Sequence, residues 1–292
     1  MKPSPFTYHR PATLAQALAV LAQTGGKVLA GGQSLLPILS MRLAAPDHLV
    51  DINQLPDLAH VTSTPDGVRI GALARHRAVE RDDQAARVQP LLRQATAQVA
   101  HPTIRNRGTS VGSLAHADPS GELTAVLALT GGSVTLASVD GQRTVPASGF
   151  FLGPLESSIR PGELALEAFF PAFPAGTGTA FVEIARRHGD YAICGVAAAF
   201  SSGDSTGRRT ARVAYLSMAP VPAVRDLDPP DGDPTRPDSW QRAAAAAVGS
   251  LEPEDDLHAS AGYRAQLARV LTARALVAAA AAAAAARAQE AG

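Results

Sequence analysis

From His101 to Pro119 the chain reads His-Pro-Thr-Ile-Arg-Asn-Arg-Gly-Thr-Ser-Val-Gly-Ser-Leu-Ala-His-Ala-Asp-Pro, a run without helical periodicity. Any fold that accommodates it must bring bare backbone, hydroxyls, a histidine, a carboxylate and cations to one place. A second segment, Ala30-Gly31-Gly32-Gln33-Ser34, lies upstream after a short apolar stretch. Paired glycines let successive backbone N–H groups point at one anion, and Ser34 adds a hydroxyl. Alone, the pentapeptide reads first as an ordinary strand-ending turn. Together the two segments suit a large, polar, phosphate-bearing cofactor, a flavin nucleotide.

Charge narrows the alternatives. The 292 residues carry 26 basic and 26 acidic side chains. Nucleic acid or an anionic membrane as main partner would call for a basic face. The N-terminus lacks the apolar core of a secretory signal, and no charge-free apolar run resembles a membrane span, so a cytoplasmic chain is expected. The alanine tail Val277–Ala286 reads as a helix end. Cys194 is the sole cysteine. That excludes an intramolecular disulfide, a four-cysteine zinc site and a self-contained iron–sulfur cluster. Redox chemistry would need an organic group or another chain.

The pattern of elements is α+β. Thr13 and Gln16 form a capping box, Leu14, Leu18 and Leu21 share a face, and Gly25-Gly26 stop that helix. A short buried strand over Lys27–Ala30, an apolar run from Leu35 to Leu39 and a strand at His48–Ile52 complete a small α/β lobe. A strand at residues 67–71 and helices near 77–83 and 88–99 precede the long loop. A helix at Glu122–Leu129, a strand at Ser133–Ala137, a turn at Phe150–Pro154 and a strand at Glu163–Phe170 follow. The Pro171–Gly178 segment marks a domain break. Beyond it come a strand or helix at Ala180–Arg187, strands near 192–201 and 211–218, a solvated Asp/Pro-rich loop at 226–238, and helices near 239–248 and 260–288. In the last, Ser260 is the expected cap and Tyr263, Leu267, Val270 and Leu271 the apolar stripe.

Several side chains read two ways. Asp118-Pro119-Ser120-Gly121-Glu122 supplies carboxylates for polyol hydroxyls, or a helix start capped by Asp118 or Ser120. Arg105 and Arg107 are phosphate contacts or surface ion pairs. Tyr191, on the turn His188-Gly189-Asp190, covers a flavin ring or closes the core. His101 and His116 lack a nucleophile pattern around them. Cys194 reads as inert core.

Taken in order, Ala30–Ser34, Ile104–Pro119, Phe150–Pro154, Arg186–Ala192 and Asp255–Ser260 leading to Tyr263-Arg264 make the chain resemble the FAD-binding (medium) subunits of molybdenum hydroxylases, the aerobic carbon monoxide dehydrogenase and xanthine dehydrogenase group, over nearly its whole length. The resemblance implies a two-subdomain FAD-binding region of the vanillyl-alcohol-oxidase type at 1–175 (subdomains about 1–55 and 56–175), followed by a C-terminal α+β domain at 179–292. It implies FAD as cofactor, held by Ala30, Gly31, Gly32, Gln33, Ser34 and Leu35, by Thr109, Ser110, Gly112, Ser113 and His116, by Asp118 and Glu122, and by Asp190 and Tyr191. It implies as partners a small subunit with two [2Fe–2S] clusters and a large molybdopterin subunit, in a hetero-oligomer where this chain passes electrons to an external acceptor and performs no substrate chemistry. A flavin-free scaffold subunit and a stand-alone FAD-dependent oxidase are the competing readings. One departure stands out. The family's second loop carries two glycines where this chain has Val111-Gly112, so weakened FAD binding or a reshaped loop is expected if that position needs a positive φ or close approach to phosphate.

Overall fold

The structure is a computed structural model, and it describes residues 2–203 and 208–290. Its first sheet is parallel, built from β1 (Thr7–His9), β2 (Lys27–Leu29) and β3 (His48–Asp51) in the order β1-β3-β2. Helices α1 (Leu14–Thr24) and α2 (Leu35–Ser40) connect these strands. At the start of α1 the Thr13 hydroxyl accepts from Gln16 N, while Gln16 Oε1 accepts from Ala12 N. Gly25 ends that helix at φ 61°, a conformation that favours glycine. Strand β2 departs from expectation: Lys27 is exposed and Val28 and Leu29 are half-buried, because β2 is an edge strand.

The second sheet is antiparallel, in the order β4-β5-β10-β6-β7. Its strands are β4 (Val61–Thr64), β5 (Gly67–Gly71), β6 (Ser133–Ser138), β7 (Gly141–Pro146) and β10 (Leu164–Pro171). Short helices pack on it: α3 (His76–Arg81), α4 (Asp83–Val88), α5 (Pro90–Thr96), α6 (Pro102–Arg105), α7 (Ser110–His116), α8 (Glu122–Thr130) and α9 (Ala147–Phe150). The long loop expected at 101–119 therefore contains two helices, α6 and α7. Both are too short to show a periodicity, and Pro102 and Gly108 interrupt the pattern. The turn expected at Phe150–Pro154 is instead the end of α9 and a hairpin, β8 (Phe151–Gly153) with β9 (Glu156–Ser157).

The third sheet is a meander of β11 (Thr177–Ala185), β12 (Ala192–Ser201), β13 (Thr210–Leu216) and β14 (Ala223–Leu227). Both faces of β12 are covered. Val196, Ala198 and Phe200 enter the core formed with α10 (Gln241–Gly249) and α11 (Ala261–Glu290), whereas Ala197 and Ala199 enter the core shared with the second sheet. The segment 226–238 begins inside β14 and ends in a short turn of helix where buried Trp240 donates to Pro234 O.

Helix α11 corrects the expected apolar stripe. Tyr263 and Val270 are exposed, and the buried line runs through Ala268, Leu271, Thr272, Ala275, Leu276, Ala279, Ala280 and Ala283. Small residues win because β11 passes very close: a Cβ on Gly178 would lie 2.0 Å from Ala279 O. The alanine tail is thus a packing surface. By length and composition α11 could cross a membrane, with a mean hydropathy of 1.6, but half of its most apolar window is buried inside the protein. Ser260 caps α11 as expected, its hydroxyl accepting from Tyr263 N.

Candidate functional site

The two glycine-rich segments meet. A Cβ on Gly31 would lie 2.5 Å from Arg107 O and 2.9 Å from Thr109 N, so only glycine permits this approach. Gly32 adopts φ 71°, which turns the chain into α2. The second segment is fixed from the other side. Arg75 and Thr109 form an isolated antiparallel bridge, with Ser110 N donating to Ala74 O and His76 N to Gly108 O. Buried His76 places Nδ1 3.3 Å from the Ser110 hydroxyl. Burial, then the Arg105 charge, push His76 down to about 4, so it stays neutral at physiological pH.

Arg105 belongs to this scaffold. It is buried, its Nε lies 3.0 Å from Glu80, and its Nη1 donates to Val99 O and Ala100 O. That is a structural clamp across the turn before α6, neither a phosphate contact nor a surface ion pair. Arg107 takes the opposite course, exposed at the mouth of a cavity.

That cavity, of about 520 Å³, is lined by Leu29, Ala30, Gly31, Gly32, Gln33, Leu36, Asp51, Asn53, Arg75, Asn106 and Arg107. Asp51, Asn53 and Arg75 carried no sequence motif, because β3, its following turn and the approach to α3 are brought to the loop only by the fold. Asn53 Nδ2 donates to Ala30 O at 2.8 Å, and Arg75 donates to Asn53 Oδ1 and to Arg107 O. Ser34 and Leu35 do not line the cavity; they begin α2, where Ser34 O accepts from Ile38 N. Another open depression, lined by Arg77, Glu80, Arg81, Asp83, Arg93 and Ala97, holds ion pairs and no glycine-rich backbone.

Beyond Thr109 the chain enters α7. Ser110 is fully buried with its hydroxyl at His76, and Val111, 2% exposed, points into the main core. Val111 has no positive φ. The strain that a positive φ would impose at this position is therefore absent, and the side chain lies in the main core. Gly112 is the position where space is short, since a Cβ there would lie 2.4 Å from Thr109 Oγ1. That oxygen is buried and has no protein partner.

After α7 comes a turn in which Asp118 accepts from Ser120 N, while Gly121 is the N-cap of α8. Neither Asp118 nor Ser120 caps the helix. Ser120 instead meets Ser217, whose hydroxyl also donates to Ala192 O and whose N donates to Pro119 O. This contact brings Tyr191 beside Asp118 and Glu122, where desolvation and then those two carboxylates raise its phenol. Tyr191 is 67% exposed and does not close the core. Arg264 supports the arrangement from α11, bonding Ile193 O, Ser217 O and Asp256. Asp190 stands exposed on the turn, with its N–H on Arg187 O, and Gly189 rests against the His101 ring.

Glu122 is pushed up to about 8, by burial first and then by Glu183 and Asp118. Burial pushes Glu183, on β11, up to about 7, and its Oε2 has no partner. Glu183 is a group the sequence reading missed, since it sits mid-strand with no motif about it. Burial also lowers His116, partly opposed by Asp118. Cys194 is fully buried with its thiol pushed up to about 12, as expected for inert core.

Two glycines at close approach, an orphaned hydroxyl, two arginines and two carboxyls whose protons burial holds more tightly suit a phosphate at one end and a polyol at the other. The family model "FAD binding domain in molybdopterin dehydrogenase" matches residues 4–173. The chain belongs to that family. The CO dehydrogenase flavoprotein C-terminal domain matches residues 179–279. The chain is 41% identical over 281 residues to the 6-hydroxypseudooxynicotine dehydrogenase complex subunit alpha of Paenarthrobacter nicotinovorans, covering 94% of this chain and 95% of the relative. It is 36% identical to the carbon monoxide dehydrogenase medium chain of Hydrogenophaga pseudoflava, covering 94% and 97% respectively. The solved carbon monoxide dehydrogenase from that organism, in a form lacking the Mo-pyranopterin moiety, superposes with a TM-score of 0.87 at 35% identity, over 96% of this chain and 99% of the other. The α+β architecture and the FAD cofactor follow from this membership.

Proposed function

We propose that this chain is the FAD-binding electron-transfer subunit of a molybdenum hydroxylase, receiving electrons from a [2Fe–2S] subunit fed by a molybdopterin subunit and passing them to an external acceptor. The observation that carries it is the contact of Gly31 with the Arg107–Thr109 backbone, which builds one polar cavity from two distant segments in a chain of this family. Bound flavin supplies the capacity to take up and release electrons singly or in pairs. The protein's part is holding and orienting. Ala30, Gly31, Gly32 and Gln33 offer backbone to a diphosphate, Thr109 and Gly112 give an unpartnered hydroxyl and room beside it, and Glu122, protonated near neutrality, can donate to a ribityl hydroxyl as well as accept. Tyr191, exposed beside Asp118 and Glu122, is free to cover a ring face.

Three sheets support a division into subdomains of about 1–55 and 56–175 and a domain of 179–292, of which 204–207 and 291–292 lie outside the described residues. A cytoplasmic location fits the packing of α11 inside the protein. The flavin-free scaffold reading loses its motive, because Val111 sits in the core without strain. Adding reducing substrate to the assembled complex should bleach the flavin absorbance, and omitting the [2Fe–2S] subunit should abolish the bleaching. Flavin reduced by substrate in this chain alone would favour a stand-alone oxidase instead.

A further inference from the structure

We propose that Arg75 and Arg107 form a charge clamp for the diphosphate of the dinucleotide, with Arg75 the fixed half and Arg107 the free half; the inference rests on the flavin reading above. Arg75 is held in place by neutral acceptors only, Asn53 Oδ1 at 2.7 Å and Arg107 O at 2.5 Å. Asn53 is itself anchored on Ala30 O and Asp51 Oδ1. Asp51, the carboxylate nearest in this network, already accepts from Tyr8, Asn53 N and Asn53 Nδ2, and forms no ion pair with Arg75. Arg107 projects into the same cavity, and its guanidinium has no hydrogen bond or ion pair among the described residues.

Burial and then the Arg107 charge lower Arg75, partly opposed by Asp51, so the two guanidiniums interact repulsively. Four other arginines of this subdomain are matched: Arg77 and Arg105 with Glu80, Arg93 with Asp83, Arg143 with Glu163. Two arginines line one cavity at the junction of two glycine-rich turns, and its carboxylate, Asp51, is engaged by Tyr8 and Asn53 and offsets part of their charge, which leaves a site for an anion. Like charges at short range cost energy until a counter-charge lies between them. A diphosphate is a dianion whose oxygens accept the paired N–H groups a guanidinium presents. Gln33 does not compete for the space, because its side chain folds back onto Gly31 O at 3.1 Å.

The test uses the full chain freed of flavin, titrated with FAD, ADP and riboflavin. Arg107→Gln is the informative variant: Arg107 is exposed and its side chain bonds to nothing among the described residues, so the flavin-free protein should melt at or slightly above the wild-type temperature as the repulsion with Arg75 is relieved. It should weaken FAD and ADP binding by about tenfold or more, the usual worth of a charge-assisted hydrogen bond. Riboflavin binding should be unchanged, Arg107→Lys should recover part of the loss, and added salt should narrow the gap. Arg107→Gln binding FAD and ADP as tightly as wild type would overturn the clamp, and so would an equal loss for all three ligands. A wild type that binds ADP through Arg107 but takes no FAD would sink the flavin reading while leaving the clamp in place.

Discussion

At the scale of single residues, two glycines separate conformation from contact. Gly25→Ala meets open space and only the αL penalty, about 1–2 kcal/mol. It should leave FAD affinity untouched. Gly31→Ala drives a methyl into the Arg107–Thr109 backbone, so it should cost about 1–3 kcal/mol and weaken FAD binding as well. Denaturant melts and flavin titrations of both variants check this; equal FAD affinities would mean the two segments need not touch. Glu122 makes a pH-dependent prediction. Its proton is held more tightly in the folded state, up to about 8 against an ordinary 4.5. Stability from this group is therefore complete below 4.5 and is lost as pH rises toward 8. Glu122→Gln removes that loss, so the melting temperature of the variant should pull ahead of wild type across this window and then level off. A difference independent of pH would show that Glu122 ionises normally. The glycines were legible in the sequence because close approach leaves a compositional mark. The protonation of Glu122 was not, because its burial, and then the charge of Glu183 on a strand remote in sequence, come only with the fold.

At the scale of elements, α11 shows what periodicity alone misreads. Bulky residues suggested a stripe through Tyr263, Leu267, Val270 and Leu271; Leu271 is buried and Leu267 partly so, but Tyr263 and Val270 are exposed, and the rest of the buried face is mostly alanine because β11 presses against it at Gly178. Leu271→Ala should cost about 2–5 kcal/mol by opening a cavity, while Val270→Ala, on the exposed side, should stay within about 0.5 kcal/mol. Urea melts of the pair decide it, and comparable losses would return Val270 to the buried face. The helix caps were readable, as Thr13, Ser260 and Gly25 each carry the local chemistry their position needs. Helices α6 and α7 were not readable, since four and seven residues held by long-range contacts display no moment of their own. The same contacts explain Arg105, whose charge suggested a ligand site while its burial beside Glu80 makes it a strut.

At the scale of the whole molecule, the proposed cofactor site is a junction. The parallel first sheet supplies Ala30–Gln33, the segment ahead of α7 supplies Arg107–Thr109, and the third sheet supplies Tyr191 through the Ser120–Ser217 contact. Sequence motifs announced that these stretches matter, and only the fold shows that Asn53 and Arg75 join them. Electron transfer between subunits asks the same of the chain, a cofactor held between lobes where partners can approach it. The central claim is that the chain binds FAD with Val111 in its loop. The visible spectrum of the purified full chain, recorded as FAD is added to wild type and to Val111→Gly, tests it most directly. The account predicts saturable flavin binding by wild type at one FAD per chain, with Val111→Gly less stable by about 2–3 kcal/mol from the lost core side chain and the added glycine and no tighter for FAD. Flavin taken up only by Val111→Gly, or by neither chain even when assembled with its partner subunits, would contradict it.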